Sequence, residues 1–289
     1  MKFKFSFLNC CILTGLIGLF WLFVKYLFKK YQNYKNTLEN KFELDKSEFP
    51  SNIDYRNSDY FKNPENVTYI LWSGGFSSTF RLCQLLLLDE KLVQPIYIHT
   101  DNFGSFEKHN EMEITKMKEI RNTLYKDYPI LKNRLAPTMY IKHIKRDPLV
   151  TNKFKNLHLE NGFFEKDEKK DKYENIARFS NSYEYQIELP IDKDEYYLNQ
   201  AIQPYLKNIY KSNTNQIKKL DIDIPVKYSN LHIFKNLLFP ISHLKKDELK
   251  MIAIQNNFYY ILKMTWSCCN PNIDGDACLK CPQCLKRNI

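Results

Sequence analysis

Two short stretches hold residue types at spacings suited to chemistry. The first is "ILWSGGFSST", residues 70–79, where an apolar run meets a Gly-Gly turn and a hydroxyl-rich helix start. Gly74 and Gly75 let the backbone turn tightly and approach an anion, while Ser73, Ser77, Ser78 and Thr79 offer hydroxyl donors. The helix that opens at these hydroxyl residues would add its amide dipoles at the same end, so the stretch is a candidate phosphate cradle. It is not a Walker A loop, because no Gly-Lys-Ser/Thr follows the glycines.

The second stretch is the C-terminal cysteine array. Five of the eight cysteines lie from Cys268 onward, with Cys278-x-x-Cys281-x-x-Cys284 following Cys268 by ten residues. Four thiolates close a tetrahedral zinc site, and such a closed site is structural because no coordination position stays open for substrate. Disulfides and an iron–sulfur cluster are the competing readings of the same spacing. Cys269 adjoins Cys268, and spacing does not say which of the two binds. Cys83, in an apolar helical pattern, reads as core.

The elements that must position these groups alternate in type. From residue 66, "VTYILW", "VQPIYIHT" and "APTMYIKHI" read as strands. "SSTFRLCQLLLLDE" places Phe80, Leu82, Cys83, Leu86 and Leu87 at helical spacing, and "EKHNEMEITKMKEIRNTLY" is a second amphipathic helix. Alternating strands and helices imply an α/β fold with a parallel, Rossmann-type sheet, whose ligands lie beyond the carboxyl ends of the strands. Residues 147–235 read differently: a solvated charge run, a strand at "EYQIELP", and a helix from about Glu195 to Ile209. Arg178 and Glu188 read there as surface charge, with a site role as the alternative. His99, at a strand's carboxyl end, faces the ligand side or is a buried histidine. His109, His143 and His243 form no metal spacing. No Ser-His-Asp order or carboxylate pair singles out a hydrolase.

"SGGFSST" resembles the Ser-Gly-Gly-x-Asp-Ser signature of the PP-loop ATP pyrophosphatase superfamily, with the adenine nucleotide alpha hydrolase-like fold. Within it, the chain is most similar to the 7-cyano-7-deazaguanine synthases of queuosine biosynthesis. "PIYIHTDNFGSFEKHNEMEITKMKEI", residues 95–120, matches loosely, with Phe103-Gly104, His109 and Glu111 in the places of an aromatic-Gly pair, a basic residue and a Glu. "FPISHLKKDELKMIAIQNNFYYILKMTWSCC", residues 239–269, matches better, with Lys246 and Glu248 as its Lys-x-Glu and Trp266-Ser267-Cys268 before the cysteines.

The resemblance implies a division of labour. Ser73, Gly74, Gly75, Phe76, Ser77 and Ser78 would hold ATP with Mg2+, and Cys268, Cys278, Cys281 and Cys284 would hold Zn2+. The reaction it implies is adenylation of a carboxylate followed by attack of ammonia. The substrate would be 7-carboxy-7-deazaguanine or another small carboxylate or modified base. Ser77 stands where the family has its carboxylate, and Asp101 is the candidate to compensate. Ser77, Asp101 and Lys246 are therefore the catalytic candidates. The family's motifs for the substrate are not recognisable in the divergent insert, about 147–235.

The first residues form a separate object. Phe5–Val24 is an uncharged run of about the 20 residues that cross a bilayer. It contains Cys10 and Cys11, and lysines flank it more heavily on the C-terminal side. The expectation is a single-pass anchor (1–30), a polar tether (31–65) and a main α/β domain (66–289, zinc tail 266–287) facing the cytosol. A cleaved signal peptide is the rival, although no small-residue cleavage site follows the run.

With 44% hydrophobic residues, the 289-residue chain can build a sizeable core and is not a disordered protein. Its net charge of +10 suits an anionic membrane, a phosphate-rich ligand or nucleic acid, though no basic stripe with interleaved aromatics favours the last. The family would add a homodimer. Two classes of function remain: an ATP-dependent C–N ligase, or a degenerate membrane-tethered nucleotide-binding or scaffold protein that has lost turnover with the loop carboxylate.

Overall fold

The computed structural model describes residues 25, 42–44, 66–99, 105–142, 144–161, 170–182, 186–211, 216–221, 223–268, 270–272, 274–281 and 284–285. The chain divides into two compact units, residues 1–43 and 44–289, and the second holds both the Gly-Gly turn and the cysteine tail. The apolar run 5–24 lies outside the described residues; among these, no helix is long and apolar enough to cross a membrane.

Strand β1 (Val67–Leu71) is followed by helix α1 (Phe76–Cys83), which continues as one wider turn over Gln84–Leu88. Strand β2 (Leu92–Ile98), the long helix α2 (Ser105–Asp127) and strand β3 (Met139–Ile141) complete the first half. Helices α3 (Pro148–Asn161) and α4 (Lys170–Ser182) lead to strand β4 (Ile187–Glu188) and helix α5 (Tyr196–Ile202). Strands β5 (Leu206–Lys211), β6 (Gln216–Leu220) and β7 (Leu237–Phe239) precede helices α6 (Lys246–Gln255) and α7 (Tyr259–Lys263).

These seven strands lie in the order β3-β2-β1-β4-β7-β6-β5. The first five are parallel: Ile70 of β1 faces Pro95 of β2 on one side and Glu188 of β4 on the other. A β5–β6 hairpin then extends the sheet antiparallel to β7. The strand order reverses between β1 and β4, and a doubly wound sheet opens a crevice at that reversal.

The pattern of residues explains the layers. Met117, Ile120 and Leu124 recur at helical spacing on α2 and are fully buried, as are Phe80, Leu82, Cys83 and Leu86 beneath α1. They share one core with Ile70, Tyr97, Leu249, Phe258 and Ile261, so α1, α2, α6 and α7 cover the same side of the sheet.

The middle of the chain departs from expectation. The charge run feeds into an amphipathic helix, α4, which buries Tyr173, Ile176, Ala177 and Phe179. The helix expected from Glu195 to Ile209 stops at Ile202, where Gln203-Pro204 tightens the last turn before β5 begins. Glu188 is not surface charge. It is 2% exposed and takes a bidentate bond from Arg81, 2.8 Å at each oxygen, which couples α1 to β4. Arg178 is half-buried and remains on its own helix beside Glu174 and Asn175.

Candidate functional site

The turn after β1 opens onto a cleft at the strand reversal. Gly74 adopts φ +69°, a left-handed conformation, and a Cβ there would lie 3.0 Å from Met117 Cγ and 3.2 Å from the Glu113 carbonyl. Only glycine meets both demands. Gly75 caps α1, whose first ladder bond runs from the Thr79 amide to the Gly75 carbonyl at 2.9 Å. The amides that begin α1 precede that ladder and point toward the cleft mouth, as helix geometry requires.

The hydroxyls of the turn divide their tasks. Ser73, Phe76, Ser77 and Ser78 line the cleft together with Gly75. Ser78 donates to the Gly75 carbonyl at 3.2 Å and stiffens the turn. Thr79, read from sequence as a further phosphate donor, is instead fully buried and accepts the Trp72 indole proton at 3.1 Å. It faces the core because it sits half a turn from Ser77 on the helix.

The opposite wall comes from the segment after β4, Leu189 to Asp192. The Asp192 carboxylate accepts from the Ser77 hydroxyl and, at 2.9 Å, from the Asp194 amide. Burial pushes the Asp192 carboxyl up from its ordinary value, against the opposing pull of Ser77 and the Lys246 ammonium. Lys246, the first residue of α6, lines the same cleft. Its amide donates to Asp194 at 2.9 Å and the Lys245 amide donates to Glu248 at 2.7 Å, so two carboxylates cap the α6 start.

A third wall is built from β2, α2 and α4. Tyr97 donates to Glu113 at 2.8 Å, His109 Nε2 lies 3.3 Å from the other Glu113 oxygen, and Lys172 stands 3.9 Å from it. Burial alone would raise the Glu113 pKa, but Lys172, His109 and Tyr97 outweigh it and hold it at about 2. The same burial and the Glu113 charge drive the Tyr97 phenol well above its ordinary value. The sequence resemblance points to Glu111, which is exposed; the buried Glu two residues on is the one in the cleft. The helical period could have found it, since Glu113 shares a face with Met117 and Ile120.

The cysteine tail forms the roof. The Trp266 amide donates to the Gly74 carbonyl at 3.0 Å, and Trp266 and Ser267 line the cleft. The Cys268 carbonyl accepts from the Trp266 indole at 2.9 Å and from His109 Nδ1 at 2.8 Å; a carbonyl can only accept, so Nδ1 carries the proton.

Beyond it, the sulfurs of Cys268, Cys278, Cys281 and Cys284 all lie within 4.8 Å of one another, with Cys278 and Cys284 at 3.9 Å. Tetrahedral Zn2+ with bonds of roughly 2.3 Å requires sulfurs about 3.8 Å apart, so the set fits. Backbone amides of Cys278, Cys281 and Cys284 point at the sulfurs of the preceding cysteines, at 3.3–3.4 Å. Amides of Lys280 and Cys281 draw the Cys278 thiol down to about 6, toward the thiolate a metal needs.

Of the other candidates, Asp101, Phe103, Gly104, His143 and Cys269 lie outside the described residues. His99 packs edge-on against the Tyr97 ring at 5.0 Å. His243, on the β7–α6 connection, is half-buried, and burial with Lys218 nearby lowers its pKa.

Comparison with known proteins meets the geometry at the C-terminal end. Residues 214–289 match the family model described as "Queuosine biosynthesis protein QueC", a match confined to that part of the chain. Among curated proteins, no match to the chain was found. The matched segment is the one that carries Lys246, Trp266, Ser267 and the cysteine cluster. The chain is thus similar over its C-terminal part, residues 214–289, to a family of queuosine biosynthesis, and it carries a four-cysteine site compatible with zinc.

Proposed function

We propose that the chain is a PP-loop enzyme that uses ATP to activate a carboxylate for attack by ammonia, on the pattern of 7-cyano-7-deazaguanine synthesis. One observation carries this reading. The Gly-Gly turn at the strand reversal and the family-matched residues Lys246, Trp266 and Ser267 line one cleft. ATP phosphates fit against the turn formed by Ser73, Gly75, Phe76, Ser77 and Ser78, with the first amides of α1 directed at them. Lys246 adds a positive charge on the far side, where charge develops as pyrophosphate departs.

The reaction balances in two rounds. A substrate carboxylate oxygen attacks the α-phosphorus of ATP, and pyrophosphate leaves. Ammonia then attacks the acyl carbon, AMP leaves, a proton is lost and an amide forms. The amide oxygen then attacks the α-phosphorus of a second ATP, pyrophosphate and one amide proton leave, and loss of AMP with the remaining N–H proton yields the nitrile. Magnesium, when bound with the nucleotide, would neutralise phosphate charge; this chain's own task is to orient the nucleotide and keep the acyl adenylate from water. Zinc, with four thiolate ligands, would supply rigidity alone.

The test combines zinc-loaded protein, ATP, Mg2+, ammonia and 7-carboxy-7-deazaguanine, with products followed by mass spectrometry. Nitrile together with AMP and pyrophosphate is the expected result. ATP cleavage that ignores the deazaguanine would place the chain with another base-modifying PP-loop chemistry. The presence of Ser77 in place of the family's carboxylate favours a second reading, a nucleotide-binding protein without turnover, for which ATP would bind and remain intact.

A further inference from the structure

We propose that Asp192 is the carboxylate of the nucleotide site, so that the acidic group missing from α1 at Ser77 is supplied across the cleft by the segment after β4. The inference rests on the nucleotide-site reading and assigns one residue within it.

Placement is the first argument. Ser77 sits in the first turn of α1 and Asp192 just past β4, the two strands whose junction forms the crevice being β1 and β4. Direct contact between the Ser77 hydroxyl and Asp192 Oδ2 puts the carboxylate within one bond's reach of where a longer acidic side chain at 77 would end. The second argument is exclusion. Two carboxylates at that separation cannot both ionise at neutral pH, so an aspartate at 77 and one at 192 would repel each other. Serine at 77 and aspartate at 192 make sense as an exchanged pair: a donor now faces the acid instead of a second acid.

Chemistry is the third. Asp192 is 2% exposed yet lines the cleft, and the Asp194 amide at 2.9 Å fixes its orientation. A buried carboxylate held at a cost in desolvation is expected where a cation or its ligands must be met. Its oxygens suit a hard divalent cation such as the one that accompanies ATP, whereas a serine hydroxyl cannot neutralise that charge. A purely structural role, tying α1 to the β4 segment, is the competing explanation. The substitution Asp192→Asn separates the two, because a side-chain amide preserves that tie but not the charge.

The experiment measures ATP affinity of the zinc-loaded full-length protein with and without added Mn2+, and Mn2+ uptake by electron paramagnetic resonance. Four forms are compared: the parent, Asp192→Asn, Ser77→Asp, and Ser77→Asp/Asp192→Ser. For the parent, Mn2+ should tighten ATP binding. Asp192→Asn should lose about tenfold or more of the affinity measured with Mn2+, while affinity without metal holds or improves. Its melting temperature should match or exceed the parent's, because a buried charge has been removed. Ser77→Asp alone should weaken metal-dependent binding, and the exchange variant should recover it. If Asp192→Asn fails to fold, the exchange variant decides alone: recovery upholds the assignment and loss overturns it. Metal-dependent affinity unchanged in Asp192→Asn would overturn the role of Asp192 and leave the nucleotide site intact. A parent that binds no ATP in either condition would overturn both.

Discussion

The backbone amide of Trp266 donates to the carbonyl of Gly74 at 3.0 Å, and two residues later Cys268 enters the four-sulfur cluster. The Cys268 carbonyl in turn accepts a hydrogen bond from His109, a cleft residue on α2. The Gly-Gly turn, the α2 wall and the cysteine tail are therefore fastened together, and order in one is order in the others.

Metal removal should consequently be felt in the cleft. Chelation, or Cys281→Ser, is expected to lower the melting temperature and to weaken ATP binding, although no cysteine of the cluster belongs to the Gly-Gly turn. Calorimetry on zinc-loaded and stripped protein checks both effects. An ATP affinity indifferent to zinc would show that the tail is an independent module.

Gly74→Ala should be costly for two separate reasons. The left-handed φ of +69° is strained for alanine, and the added methyl meets Met117 and the Glu113 carbonyl. A loss of about 1–3 kcal/mol in denaturant unfolding is expected from the backbone strain alone. Nucleotide binding should fall as well.

Arg81 and Glu188 supply a control outside the cleft. Both are 2% exposed and bound bidentately, so Glu188→Ala would leave the buried guanidinium without its two shortest charged contacts, with the Asp89 carboxylate at 3.3 Å and the Gln84 side chain remaining. Breaking such a pair costs about 3–5 kcal/mol. Chemical denaturation should register that loss; ATP affinity of the folded fraction should barely move.

Acid stability should carry a mark of Glu113. Its carboxyl is held at about 2, against an ordinary value of 4.5, because Lys172, His109 and Tyr97 together overcome the penalty of burial. A folded-state pKa below the unfolded one contributes stability that is complete above about pH 4.5 and is lost as pH falls toward 2. Parent and Glu113→Gln should therefore converge in melting temperature across that window. Zinc release is common to both proteins, so the difference between them isolates Glu113. A constant gap between the two melting curves over the whole window would refute the assignment.

Parts of this were legible in the sequence because they depend on local pattern. The Gly-Gly turn between a β-branched run and a helical run was readable, and so was the cysteine spacing, since four sulfurs on a short tail have few other ways to converge. The partners of Ser77 and Glu188 were not. Asp192 meets Ser77 across 115 residues and Glu188 meets Arg81 across 107, and no local period encodes such contacts. The α4 helix was obscured because its first turn is charged, although Tyr173, Ile176, Ala177 and Ser180 behind it follow the helical spacing of a buried face. Thr79 and Glu111 were misassigned for one reason: neighbouring residues on a helix point in different directions, and a motif match counts positions without turning them.

Hydrogen–deuterium exchange on the full-length, zinc-loaded protein with and without ATP and Mg2+ would locate the nucleotide most directly. Slower exchange is expected in peptides covering residues 71–80 and 189–195, and at the start of α6 around Lys246. Protection confined to other segments, such as the lysine-rich β5–β6 hairpin, or no protection at saturating ATP, would contradict an ATP site at the junction of β1 and β4.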